Sequence, residues 1–207
     1  MKRDYKIYYN DSYVLLTAGR EQINENFVKV FSNEIETDEF FKNPAPLFDG
    51  ITNIKILVIT DKPGELMCNL MEHVDMVVAG GGIVWNEYNE LLMIYRRGKW
   101  DLPKGKIELR EKIIEGAERE VEEETGVKIA NVQKKPILTY HAYRLKGNNY
   151  LKETSWFEME AKPNQKKLVA QTEENIEEVR WVKRTDLKHY FDDCYPLIKD
   201  LIEEYSI

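Results

Sequence analysis

Apolar residues along this chain fall into short blocks, and their spacing switches between strand-like and helical. Tyr5–Tyr9 (YKIYY) and residues 13–17 (YVLLT) read as short strands joined at Asn10-Asp11-Ser12, a hairpin pattern. Residues 21–41 mix acidic and apolar positions and predict one or two helices, broken by Asn43-Pro44-Ala45-Pro46. Residues 54–60 (IKILVIT) predict a strand, residues 61–64 a turn and residues 65–71 a short helix. These pieces describe a small N-terminal α/β extension over residues 1–72.

The texture changes at Val74. Residues 74–79 (VDMVVA) read as a buried strand, and Gly80-Gly81-Gly82 lets the backbone pass close to a neighbour before Ile83-Val84-Trp85 continues it. Residues 86–90 turn the chain and residues 91–96 return. Residues 96–106 (RRGKWDLPKGK) combine a proline and two glycines with basic residues, which predicts a loop. Strands follow at residues 137–143 and 151–161 around a turn at Lys146-Gly147-Asn148-Asn149. A polar loop spans residues 163–171, a strand spans residues 179–182, Thr185-Asp186-Leu187 starts a capped helix, and residues 195–205 form an amphipathic helix.

Between these lies a helix over residues 112–125, stopped by Gly126 in the position that favours a left-handed residue. Ile113, Ile114, Ala117 and Val121 give it an apolar stripe. Glu120, Glu123 and Glu124 stand at i, i+3 and i+4, a spacing that converges carboxylates. A solvated face normally mixes signs, but here Arg119 is the one base between Glu115 and Glu124. Acids at 122, 123 and 124 also crowd the negative end of the helix dipole, each at a cost of about 0.3–1 kcal/mol. A bound cation relieves both penalties, and carboxylates without His or Cys suit a hard ion, Mg²⁺ or Mn²⁺.

These residues carry a family resemblance. Gly105, five residues, Glu111, seven residues, Arg119-Glu120-Val121, one residue, Glu123-Glu124, one residue and Gly126-Val127 together resemble an unbroken Nudix (MutT-type) signature. The resemblance begins near Val74, runs to the strand ending at Val182, and assigns a Nudix domain to residues 73–207. It implies an α/β/α sandwich around a mixed β-sheet and metal-dependent hydrolysis of a phosphoanhydride in a nucleoside diphosphate linked to another group. By resemblance Glu120, Glu123 and Glu124 are metal ligands, with the Gly105 carbonyl joining them. Arg119 orients a carboxylate, and Glu111 supports the outer shell. Glu123, or Glu174 from the later loop, takes the proton, with Glu177 and Glu173 next in order. Lys104 and Lys106 are the phosphate candidates. Tyr143 sits where family members acting on dinucleoside polyphosphates often carry a tyrosine. Pro136 stands too early for the proline of many ADP-ribose hydrolases.

Composition narrows the class. With 207 residues the chain holds one domain, or one and a small extension. A formal net charge of -7 speaks against a nucleic-acid polymer as partner and leaves a small nucleotide, whose charge a metal and local lysines offset. Cys68 and Cys194 lie far apart without metal-ligand spacing, as expected of reduced thiols in a cytoplasmic protein. Neither a signal peptide nor a membrane span is expected. The extension reads as a packing or dimerisation module, which admits a homodimer. The expected substrate is a nucleoside triphosphate, including oxidised ones, or a dinucleoside polyphosphate. The alternatives are an ADP-ribose or nucleotide-sugar pyrophosphatase and a non-catalytic nucleotide sensor.

Overall fold

A computed structural model describes residues 4–19, 27, 29–31, 54–165 and 167–205. In chain order the first elements are β1 (Tyr5–Tyr9), β2 (Ser12–Thr17), β3 (Lys29–Phe31), β4 (Lys55–Ile59), α1 (Pro63–Glu72), β5 (Asp75–Trp85) and β6 (Glu90–Arg96). Then come β7 (Lys99–Asp101), β8 (Lys104–Lys106), α2 (Ile113–Thr125), β9 (Ile129–Val132), β10 (Ile137–Leu145) and β11 (Asn148–Ala161). The chain closes with a 3-10 turn (Thr172–Glu174), β12 (Ile176–Lys183), 3-10 turns (Arg184–Asp193) and α3 (Pro196–Tyr205). The helical expectation for residues 21–41 lies outside the described residues except at Lys29–Phe31, which is a strand. The break at Pro44 and Pro46 also lies outside them. No described helix is long and apolar enough to cross a membrane.

Two compact units emerge, one of residues 1–77 with 139–153, the other of residues 78–138 with 154–207. In the first, β1 and β2 form the expected antiparallel hairpin, with Asn10 left-handed in its turn. β4 runs parallel to β2, and β3 runs parallel to β4. β10 lies parallel to β1, with Ile7 opposite Tyr140 and Tyr8 opposite His141. Alternate residues of these strands (Ile7, Val14, Leu16, Ile56, Val58, Tyr140, Ala142) bury one face against Leu66, Met67 and Leu70 of α1.

The second unit is built on β12, β6, β5 and β11 in that order, with β7 on β6, β8 on β5 and β9 on β11. Strand periodicity splits its side chains between two cores. Ile83, Leu91, Met93, Trp156 and Val182 point to the side closed by Leu187, Ile198, Leu201 and Ile202. Their neighbours Val84, Leu92 and Phe157, with Met159, point to the side closed by Ala117 and Val121 of α2. Helices on both faces of one sheet make this an α/β/α sandwich.

The three consecutive glycines of β5 set the approach of α2. A Cβ at Gly80 would lie 2.9 Å from the Ala117 Cβ, and one at Gly82 would lie 2.6 Å from Val121 Cγ2. Gly81, on the other face, would meet Lys104 Cβ at 2.7 Å and Trp156. The expected loop over residues 96–106 proves to contain two short strands. Lys99–Asp101 pairs with β6, and Lys104–Lys106 pairs with β5, Gly105 opposite Gly80. Pairing to both neighbours overrides a loop-like composition because each paired N–H and C=O meets a partner. Thr185 does not cap a helix; the 3-10 turns start after Lys183, without a side-chain cap.

Candidate metal and phosphate site

α2 runs from Ile113 to Thr125, and Gly126 ends it at φ +72° with its N–H on the Glu122 carbonyl. Ala117, Val121 and Glu124 stand at i, i+4 and i+7, so Glu124 falls on the buried stripe and is 1% exposed. Glu120 and Glu123 fall beside it, toward Arg119. The three acids are therefore not one equivalent cluster, as their spacing alone had implied.

Arg119 organises the first group. Its Nε and one Nη donate to both oxygens of Glu111 at 2.8 and 2.9 Å. Its other Nη donates to Glu120 at 2.8 Å and to Glu123 at 2.9 Å. The Lys106 carbonyl accepts from Arg119 at 3.2 Å. This guanidinium holds Glu111 down to about 2, helped by the Glu108 N–H, and Glu111 in turn raises the Arg119 pKa. Glu120 is raised by burial, against Arg119, with Glu123 and Glu174 adding like charge. Gly105 packs directly on Glu120, since a Cβ there would lie 1.8 Å from its Oε2. A side chain at this position would require the Glu120 carboxylate to move.

Glu124 has its own partners. Arg96, at the end of β6, donates to Oε1 at 3.2 Å, and the Lys104 backbone N–H donates to Oε2 at 2.8 Å. Burial pushes this carboxyl up to about 7, against the opposing pull of Lys104 and Arg96. Sequence reasoning missed Arg96. Its position two and four residues after Ile94 and Leu92 puts it on the α2 side of the sheet, which the two-residue period gives in advance.

The other expected residues are placed as follows. Glu174 ends the 3-10 turn at 172–174, and its charge acts on Glu120. The preceding loop is fastened to the end of α2: the Gln171 N–H donates to the Glu124 carbonyl and the Val169 N–H to the Thr125 carbonyl. Lys106 is exposed beside Gly105. The Lys104 ammonium lies 2.5 Å from buried Asp101. Tyr143 belongs to the first unit, stacked between His141 and Tyr150 at 5.8 and 5.2 Å. Trp100 is core, packed against Tyr95 and Tyr190.

The penalties of an acidic helix end are met within the protein. Lys128 pairs with Glu122, Arg119 with Glu123 and Arg96 with Glu124. Among the described residues no three His, Cys, Asp or Glu side chains are gathered to hold a metal as they stand. The donor chemistry nevertheless fits a hard divalent ion. Glu120 and Glu123 already place one carboxylate oxygen each around a single cationic nitrogen, with an all-oxygen environment and the Gly105 backbone alongside.

Residues 76–201 match the family model of the NUDIX domain. Nudix hydrolase 8 of Arabidopsis thaliana is 34% identical over 85 residues, which are 38% of this chain and 22% of that protein; the chain thus matches well under two thirds of that relative's length. Among solved structures, a MutT protein of Methanosarcina mazei Go1 is 20% identical over 64% of this chain and 94% of its own, with a TM-score of 0.48. A C. elegans Ap4A hydrolase in a binary complex is 19% identical over 63% of this chain and 95% of its own, also at 0.48.

Proposed function

Since the chain belongs to the Nudix family, we propose that it is a metal-dependent hydrolase that cleaves a phosphoanhydride in a nucleoside diphosphate linked to another group. The substrate in this reading is a nucleoside triphosphate, oxidised forms included, or a dinucleoside polyphosphate. The observation that carries it is the Arg119 hub, which gathers Glu111, Glu120 and Glu123 on one side of α2 where Gly105 comes into contact.

Glu120, Glu123, Glu124 and the Gly105 carbonyl would hold Mg²⁺ or Mn²⁺. A divalent ion there would supply positive charge against the phosphates and Lewis acidity toward water. The chain's own residues do the rest. Glu111, ionised far below neutral pH, fixes Arg119 by two hydrogen bonds, and Arg119 orients Glu120 and Glu123. Glu123 is half exposed, so it faces the side from which substrate and water arrive. Either Glu123 or Glu174 accepts a proton from the attacking water. Lys106 offers a cation to the phosphate chain. Positioning and charge neutralisation supply most of the rate enhancement, as in phosphoryl transfer generally.

The test is a Mg²⁺-dependent hydrolysis panel of unmodified and oxidised nucleoside triphosphates, diadenosine polyphosphates, ADP-ribose and nucleotide sugars, with products separated by chromatography. Strong turnover of a polyphosphate class is expected, reduced by orders of magnitude in Glu123→Gln and Glu124→Gln. Turnover of ADP-ribose or a sugar nucleotide instead would replace the substrate assignment. Binding without turnover would make the protein a nucleotide sensor.

A further inference from the structure

Lys104 stands next to Gly105 in a basic stretch, the natural place for a phosphate ligand, yet its side chain leaves the carboxylate side. The Cβ of Lys104 packs where Gly81 lacks one, on the sheet face that carries Trp156, whereas Gly80 and Gly82 face α2. Its ammonium ends 2.5 Å from Asp101 Oδ2, within reach of the Leu102 carbonyl and 5.8 Å from the centre of the Trp156 ring. Both side chains are largely sequestered, Lys104 at 14% and Asp101 at 6% exposed. The other Asp101 oxygen accepts the Leu102 N–H at 2.8 Å. Asp101 therefore ties together the turn that joins β7 to β8, across Pro103, which has no N–H of its own to contribute.

That turn delivers the backbone of the site. The Lys104 N–H reaches Glu124, and Gly105 follows against Glu120. Resting on the metal-site reading above, we propose that Asp101 and Lys104 are a positioning pair that fixes the Lys104–Gly105 backbone against Glu124 and Glu120, and that the Lys104 ammonium is not a phosphate ligand. A buried ion pair is stabilised only while both partners are present, so either half alone loosens the turn. Lys106, two residues on and exposed, is left as the cation available to an anionic ligand.

Two measurements on the full chain test this. The first is amine acylation of the native protein, read by mass spectrometry without metal or nucleotide. Lys104 should label at least tenfold more slowly than Lys106, and Asp101→Asn should remove that protection. Labelling of Lys104 as fast as Lys106 in the unmutated protein overturns the pair without any variant having to fold. The second is Mn²⁺ affinity by calorimetry in Lys104→Met, whose shape is close to lysine. Disturbing an outer support of a metal site commonly costs 10–100-fold in affinity, and a loss of about tenfold is expected here, with most of it recovered in Asp101→Asn/Lys104→Met. Unchanged Mn²⁺ affinity, above all with a raised KM for a polyphosphate substrate, overturns the positioning role. If the unmutated protein takes up no Mn²⁺, the metal reading falls, and the acylation pattern still decides whether the pair exists.

Discussion

Glu124 and Glu111 show how differently two carboxylates behave within one site. Glu124 lies on the buried stripe of its helix, where burial raises its pKa to about 7 although Arg96 and one peptide N–H donate to it. Arg96→Met leaves that carboxylate buried with one donor fewer, and a loss of about 1–3 kcal/mol in unfolding free energy is expected, measurable by denaturant titration, together with weaker Mg²⁺ binding. An unchanged midpoint would show that Arg96 does not support Glu124. Glu111 is the opposite case, a half-buried acid held at about 2 by Arg119, against about 4.3 for a glutamate in an unfolded chain. As pH falls the unfolded chain takes up this proton first. The stabilisation is therefore complete above the unfolded value, declines below it and is gone once the pH has passed the folded value. The gap in denaturation midpoint between the unmutated protein and Glu111→Gln should accordingly shrink from about pH 5 to about pH 2. A gap independent of pH would remove the ion pair as its source.

At the scale of elements, the site depends on how closely α2 lies on β5. Gly82→Ala places a methyl against the stiff side chains of Val121 and Val84, and overpacking of this kind costs about 1–3 kcal/mol. The same change moves the helix that carries the acids. Thermal unfolding should therefore drop and turnover fall together, and full activity in a destabilised Gly82→Ala would show that the site tolerates a shifted helix. The far end of α2 was legible as a stop signal at Gly126. The loop over residues 163–171 was legible too, but its attachment to that helix end was not, because the bonds from Val169 and Gln171 to helix carbonyls are backbone bonds with no residue signature. Strands β7 and β8 were hidden for a related reason. Three-residue strands such as Lys99-Trp100-Asp101 and Lys104-Gly105-Lys106 are too short to show a periodicity and form because β6 and β5 offer them partners.

For the whole molecule, charge links the site to stability. Where carboxylates hold a cation in the folded chain alone, that cation raises stability by mass action, about 2.7 kcal/mol at a hundred times its dissociation constant. Millimolar Mg²⁺ should raise the melting temperature, EDTA should reverse the rise, and Glu120→Gln/Glu123→Gln should abolish it. Equal melting temperatures with and without Mg²⁺ in the unmutated protein would count against the metal site. A net charge of -7 makes the gain larger at low ionic strength, where repulsion among acids is least screened.

What the sequence determined by itself was whatever local spacing encodes. Helical spacing and a glycine stop located α2, two-residue alternation located most strands, and the run from Gly105 to Val127 identified the chemistry to look for. The tertiary structure decided which charges meet. Arg119 joins Glu111, Glu120 and Glu123, while Arg96, 28 residues before Glu124 in the chain, meets that acid. It also turned Lys104 toward Asp101, and it paired β10 with β1 across more than a hundred residues. The reason is common to all of these. Periodicity tells each residue which face of its own element it occupies, but the partner across that face is chosen only when the elements pack.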